Sequence, residues 1–454
     1  MILPPKFEER MKNMLGADYE SFVSALDNAP IYSALRLNTL KTDVRNTVTT
    51  CFNLTKQVKW CASGFYVEKG GVSGNHPYHM GGLFYFQEPS AMSTVEALPI
   101  KSGDFVLDLC AAPGGKSTQV AAKLGGTGLL VANEIVAKRA AILSGNIERM
   151  GIKNAVVTNE TPQNLAKKYP DFFDKIIVDA PCSGEGMFRK EPQAVEEWSE
   201  EHTFSCATRQ KNILDSAVKM LKDGGMLVYS TCTFAPCENE EVAQYLIDEH
   251  GLEIVEIPCL DMLDCGVNEW GCGKGDVSKA KRIFPQNTDG EGHFVALFKK
   301  SGESKLNKSI TSQKTDKETQ KAVEIYRDFE NENLNIKIEG HFKLFGDMLY
   351  VLPCEIDIDK IKVLRYGLQL GEIKKNRFEP SHSLALALEA EDFKSVESFD
   401  IESEKLKKFL TGNVYESDKR GYCAVCVNGY PLGWGKGSDG MMKNKLPKGV
   451  RILK

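Results

Sequence analysis

The chain has 454 residues, of which 42% are hydrophobic and 26% charged, and a formal net charge of −5 at pH 7. This is apolar enough to bury a full core and long enough for two or three domains, which excludes fibrous, low-complexity and disordered classes. The net charge provides no global basic field, so a nucleic-acid partner has to be met by local patches.

The 13 cysteines are scattered through apolar strands and loops and do not form a short secreted framework, which suits a reducing compartment. MILPPKFEERMKNML carries no apolar run before a cleavage site, and nowhere does the chain approach the roughly eighteen apolar residues of a membrane span. A cytoplasmic protein with no membrane partner is expected.

Residues 1–75 read as a small α+β domain. Apolar residues recur at helical spacing through PKFEERMKNMLGADYESFVSAL, and YSALRLNTLK then alternates as a strand does. The following segment, GNHPYHMGGLFYFQEPSAMSTVEAL, gathers His76, Tyr78, His79, Tyr85, Phe86 and Gln87 around Gly81 and Gly82, and Pro89-Ser90 opens a helix. Such a composition serves a ring-shaped substrate and a hydrophobic lid equally well.

A catalytic domain is expected over 76–300, where strands and helices alternate. Strands fall near Phe105–Leu109, Gly128–Asn133, Ala155–Asn159, Lys175–Asp179, Met226–Ser230 and Leu252–Ile257, and GHFVALFKK adds a last one without a long intervening helix. This rhythm predicts a Rossmann-like α/β fold, a mostly parallel sheet with an antiparallel hairpin at its edge. Ligands of such sheets sit beyond the carboxyl ends of the strands. The stretch VLDLCAAPGGKSTQVAAKL runs from a buried strand through the Gly114-Gly115 turn into a helix, where bare backbone and free N–H groups accept a polar ligand. After the next strand stands Glu134, where an acid can take ribose hydroxyls. Together these features predict a nucleotide-like cofactor.

Two further strand ends carry reactive groups. FDKIIVDAPCSGEGMFRK leads into Asp179 and Cys182, and LVYSTCTFAPCENEEVAQYL into Cys232, with Glu238 to Glu240 opening a helix. A thiolate beside such a cofactor suits cytosine methylation. Attack at C6 makes C5 nucleophilic, an acid meets N3 as charge develops, and a base later removes the C5 proton. Cys232 is placed to attack, Asp179 to meet N3 and Cys182 to help release.

Ser301 to Lys321 is polar and poor in aromatics, an expected linker over 301–321. A small α+β domain follows over 322–360, and a last domain over 361–454. Residues 401–454 carry +6, leaving −11 on the rest, so that end suits a polyanion. Tyr430 and Trp434 are candidates either for stacking on bases or for filling a small core. Cys423 and Cys426 form a CxxC without a second pair nearby, which favours two strand residues over zinc, and no metal is expected.

CAAPGGKS, DAPCSGEG and STCT, in this order and spacing, resemble the RNA cytosine-5 methyltransferases of the Nop/Sun (RsmB/Nop) family, specifically the bacterial RsmF-like ribosomal RNA enzymes. HPYHMGGLFYFQEPSAM and RIFPQNTDGEGHFVALFKK extend the resemblance over nearly the whole chain. It implies a class I methyltransferase domain using S-adenosyl-L-methionine, a PUA-like RNA-binding barrel at the C-terminus, and 5-methylcytosine formed in ribosomal RNA, 16S rRNA or the small subunit. It also implies Cys232 as nucleophile and Cys182 in product release. The cofactor would be bound by Cys110, Ala111, Ala112, Pro113, Gly114, Gly115 and Lys116, by Glu134 at the ribose and by Asp179 near the methyl. Where the family has an aspartate near the adenine this chain has NETP, so Glu160, Thr161 or the backbone takes that contact. Lys116 and Lys190 are candidates to touch cytosine or phosphate, and Lys190 reads equally as a solvated loop cation. The alternatives are a methyltransferase of this fold acting on DNA, tRNA or protein, and a non-catalytic RNA-binding ribosome-assembly factor.

Overall fold

The computed structural model describes residues 1–68, 70–273, 275–303, 316–375 and 377–452. Two helices, Pro5–Leu15 and Tyr19–Asn28, precede a three-stranded antiparallel sheet of β1 (Ser33–Leu37), β2 (Gly64–Val67) and β3 (Phe84–Phe86), in the order β2-β1-β3. The third strand lies beyond the domain end expected at residue 75. The His- and Tyr-rich segment therefore belongs to this sheet: the rings of His79 and Phe84 meet at 5.5 Å, and those of Phe84 and Phe86 at 5.3 Å.

The central sheet contains β4 (Phe105–Asp108), β5 (Leu129–Asn133), β6 (Ala155–Thr158), β7 (Phe173–Asp179), β8 (Leu221–Thr231), β9 (Glu253–Val255), β10 (Asp264–Cys265), β11 (Lys281–Ile283) and β12 (His293–Lys299). Its order is β10-β11-β12-β8-β7-β4-β5-β6, with β6, β5, β4, β7 and β8 parallel and β12 antiparallel to β8. Apolar clusters cover both faces, one around Leu107, Val131 and Ile176 and the other around Val106, Leu130 and Ile177. Burial on both sides is why these strands read as nearly continuous apolar runs. The antiparallel hairpin is formed by β11 and β12; β9 meets only the last three residues of β12.

In the expected linker, residues 304–315 lie outside the described residues, and its end belongs to a helix, Lys317–Asn333, started by the Asp316 side chain accepting from Thr319 N. Beyond it β13 (His341–Phe345), β14 (Met348–Leu352), β16 (Leu368–Lys374) and β17 (Arg377–Pro380) form an antiparallel sheet. Between them β15 (Val363–Tyr366) leaves to pair with β6, so it becomes the edge of the central sheet, while the four-stranded sheet itself spans the boundary expected at 360/361. The last sheet takes the order β18-β20-β21-β22-β19, from β18 (Val396–Phe399), β19 (Tyr415–Glu416), β20 (Gly421–Val427), β21 (Tyr430–Ser438) and β22 (Met441–Asn444). Among the described residues no helix is long and apolar enough to cross a membrane.

Trp434 and Tyr430 are core residues. Trp434 packs against Phe329, Phe393 and Tyr422, and its indole N–H donates to Ser381 O at 2.9 Å. The Tyr430 hydroxyl donates to Thr42 O at 2.9 Å, tying this sheet to the N-terminal domain. Buried, neither ring is open to a base.

Candidate active site

The strand order reverses between β4 and β7, and the carboxyl ends of β4, β5, β7 and β8 open onto one crevice there. After β4, the loop Cys110 to Gly114 is fixed from β5 and the helix Ala137–Arg149. Ala111 N donates to Asn133 O at 2.8 Å, Arg139 Nη2 to Ala112 O at 2.9 Å, and Asn146 Nδ2 to Pro113 O at 2.9 Å. Gly114 has φ of 116°, a left-handed conformation that favours glycine, and a Cβ on Gly115 would stand 3.3 Å from the Tyr85 ring. The helix Gly115–Leu124 starts there. Buried Arg36 of β1 holds its first turn, donating to Gly115 O at 3.0 Å and Thr118 Oγ1 at 2.6 Å, while Nε donates to Gln87 Oε1 at 2.8 Å. The first domain thus buttresses the turn.

Glu134, after β5, is buried; Oε1 accepts from Val136 N at 2.8 Å and Oε2 lies 3.4 Å from Arg139 Nη1. Both carboxylate oxygens of Glu160 are engaged, by Lys362 N and Asn164 Nδ2, and Thr161 caps a helix through Asn164 N.

Asp108 ends β4 fully buried, with Oδ2 accepting from Ser117 Oγ at 2.6 Å and Oδ1 without a partner. Burial raises its carboxyl to about 7. An orphaned buried carboxylate oxygen beside a glycine turn calls for a cationic or hydrogen-bond-donating ligand. The α-ammonium of S-adenosylmethionine supplies that chemistry, so the donor set fits this cofactor.

At the end of β7, Asp179 accepts from Lys116 Nζ at 2.7 Å and from Ser230 Oγ at 2.8 Å. Burial pushes the Asp179 carboxyl up, but the Lys116 ammonium and the Ser230 hydroxyl outweigh it and hold it below the usual range. Lys116 is likewise pulled down by burial and more than restored by Asp179. Burial drives His293 down to about 3, which keeps it neutral.

Cys182 and Cys232 meet across 3.2 Å between sulfurs, both partly exposed. The hydrogen bond to Cys232 and burial together push the Cys182 thiol well above its ordinary value. Two thiolates at this separation would repel, so the pair does not ionise at both sulfurs together. A buried network holds both loops. Glu238 accepts from Ser183 N at 3.0 Å, from Ser183 Oγ and from Gln210 Nε2 at 2.9 Å, while Ser183 Oγ lies 2.8 Å from Thr233 Oγ1. Burial lifts Glu238 to about 7. Gly186 N donates to Cys232 O at 2.8 Å, and a Cβ there would clash with Gly292 O at 2.5 Å.

Cys110 to Lys116, Glu134, Asp179, Cys182 and Cys232 thus converge on one crevice, whereas the Lys190 ammonium is turned to Tyr32 O at 3.3 Å and Glu291 at 3.6 Å. Sequence reasoning passed over Asp108, Arg36, His293 and Glu238. Asp108 and Glu238 stood inside quoted motifs as a strand residue and a helix-opening acid.

Family profiles match in sequence along the chain: the N-terminal domain of 16S rRNA methyltransferase RsmF over 3–89, 16S rRNA methyltransferase RsmB/F over 95–299, the first RsmF C-terminal domain over 328–388 and the RsmF PUA domain over 396–452. The ribosomal RNA small subunit methyltransferase F of Vibrio vulnificus is 33% identical over 98% of this chain and 97% of its own length. The chain belongs to the RsmB/F family of 16S rRNA methyltransferases. The relative of the same name in Serratia proteamaculans is 32% identical over 99% of this chain and 96% of its own. Among solved structures, a methyltransferase homologue from Pyrococcus horikoshii is 28% identical with a TM-score of 0.57, covering 65% of this chain and 94% of its own. NSun6 from the same organism, 22% identical with a TM-score of 0.58, covers 66% and 99% and shares the fold. Membership of the RsmB/F family makes the chain an S-adenosylmethionine-dependent RNA methyltransferase, with a PUA domain at its C-terminus.

Proposed function

We propose that the protein forms 5-methylcytosine in 16S ribosomal RNA, with Cys232 as nucleophile, Cys182 in product release and Asp179 at the pyrimidine edge. The observation that carries this reading is the sulfur pair just past the ends of β7 and β8, 3.2 Å apart and both partly exposed at the crevice, beside Asp179 and Lys116.

When bound, S-adenosylmethionine supplies an electrophilic methyl group. Cys110 through Lys116, Asp108 and Glu134 would hold it. Cys232 Sγ bonds to C6 of the target ring, the C5–C6 π pair moves to C5, and the proton that Cys232 loses is balanced by the one N3 gains. Asp179, charged and paired with Lys116, accepts a hydrogen bond from the N4 amino group and offsets the positive charge at N3. Once C5 carries the methyl group, the Cys232 sulfur is an uncharged thioether, so a Cys182 thiolate no longer faces a second sulfur that can carry charge. Cys182 then gives up its proton to the medium, its thiolate takes the C5 proton as the C6–S bond breaks, and the proton on N3 returns to the departing Cys232 sulfur.

Bisulfite mapping of ribosomal RNA from cells lacking the protein tests this reading. It should show one or a few cytosines in 16S rRNA losing methylation; an unchanged map would contradict it. Because the cytosine must leave its stack to reach the crevice, loosely paired RNA should react faster than regular duplex.

A further inference from the structure

Along the sheet edge, β5, β4, β7, β8 and β12 run from the cofactor turn through the two thiols to His293. One strand further, the loop 285–289 leading toward β12 forms a wall of a cleft of about 600 Å³, a volume suited to a small ligand. The N-terminal domain forms the other wall with Tyr32, Lys56, Lys59 and Tyr66. The Tyr32 and Tyr66 rings meet edge to face at 5.6 Å, and the Lys56 ammonium lies over both, 5.0 Å and 4.7 Å from their centroids. Lys56 is exposed and paired with Asp289 at 2.5 Å, whereas Lys59, also exposed, enters no ion pair among the described residues. Gln286 adds a side-chain oxygen without a partner.

The cleft is tied to the Cys182 loop. Arg189, seven residues after Cys182, donates to Ala25 O at 2.9 Å and to Ala29 O at 3.2 Å, and both residues line the cleft. Lys190 holds Tyr32 through its carbonyl. Asp289 O in turn accepts from the Tyr66 hydroxyl at 2.9 Å.

We propose that this cleft binds the RNA nucleotide beside the target cytosine. Its base stacks on the tyrosine pair in the place held by the Lys56 ammonium, and its phosphate is neutralised by Lys56 and Lys59. Asp289 keeps the Tyr32 hydroxyl as a partner when Lys56 turns away. Stacking of this kind tolerates any base, and a neighbour anchored one or two strands from the thiols holds the flipped cytosine in the crevice. This inference rests on the RNA methyltransferase reading above.

The test uses the full chain and a 16S rRNA transcript. In the double variant Lys56→Gln, Lys59→Gln, KM for RNA should rise about tenfold, the loss falling on KM more than on kcat. The slope of log KM against log salt should flatten by about 1.4, for two single-strand phosphate contacts. Tyr32→Leu should raise KM without changing that slope, and an unchanged S-adenosylmethionine Kd shows that each variant is folded. Wild-type KM and slope in both variants would overturn the cleft while leaving the methyltransferase reading intact. A wild-type chain inactive on 16S rRNA would defeat that reading and the cleft with it.

Discussion

Two pairs of cysteines, one just past the ends of β-strands and one inside a strand, lie in opposite environments. Cys182 and Cys232 follow the carboxyl ends of parallel neighbours and meet at a crevice, sulfur to sulfur. Cys423 and Cys426 lie within β20, three residues apart and so on opposite faces, one in each of two separate apolar clusters. Burial pushes Cys426 up to about 12, and neither thiol reaches solvent. Residue type is the same in both pairs; position relative to a strand end decides whether a thiol is a reagent or a small hydrophobe.

The comparison can be broken most forcefully at Cys232. Cys232→Ala should lower methyl transfer by about 10³-fold or more, the scale of losing a nucleophile, while the Tm changes little. Full turnover by this variant would remove the distinction between the pairs. Asp179→Asn should lower kcat by about 10²-fold, since the charge opposite N3 is lost and Lys116 loses its partner.

Asp108→Asn sharpens the contrast on the cofactor side, weakening S-adenosylmethionine binding by about tenfold, roughly one charge-assisted contact. In the wild type, an acid raised to about 7 holds a proton that the cofactor's ammonium must displace. Affinity should therefore rise with pH up to about 7 and level off above it, and the Asn variant should lose this dependence; calorimetry in buffers of different ionisation enthalpy reads the proton released. The smallest effect belongs to the buried pair. Cys423→Ala with Cys426→Ala should cost about 1 kcal/mol per site in denaturant unfolding and leave kcat within about twofold.

Much of the crevice was legible because its residues are local to strand ends. A strand, a glycine turn and a helix start are each written in adjacent residues, and CAAPGGKS, DAPC and STCT all fall where the sheet opens. What escaped depends on distant partners. Asp108 looks like any residue closing an apolar strand, and only its unpartnered Oδ1 marks it. Glu238 reads as a helix-opening acid, yet it accepts from Ser183, 55 residues away, and so locks one cysteine loop to the other. The segment VLRY has the pattern of an ordinary strand and gives no sign that it joins β6 in another sheet. Trp434 and Tyr430 show the same limit: an aromatic beside lysines suits stacking on bases as well as a small core, and here both fill the core.

The most direct test of the central claim is mass spectrometry of the covalent complex trapped with Cys182→Ala on 16S rRNA. A protein–RNA adduct resistant to denaturation, with the pyrimidine on the Cys232 sulfur, is the predicted result. An adduct on any other residue, or full turnover with none, would contradict it.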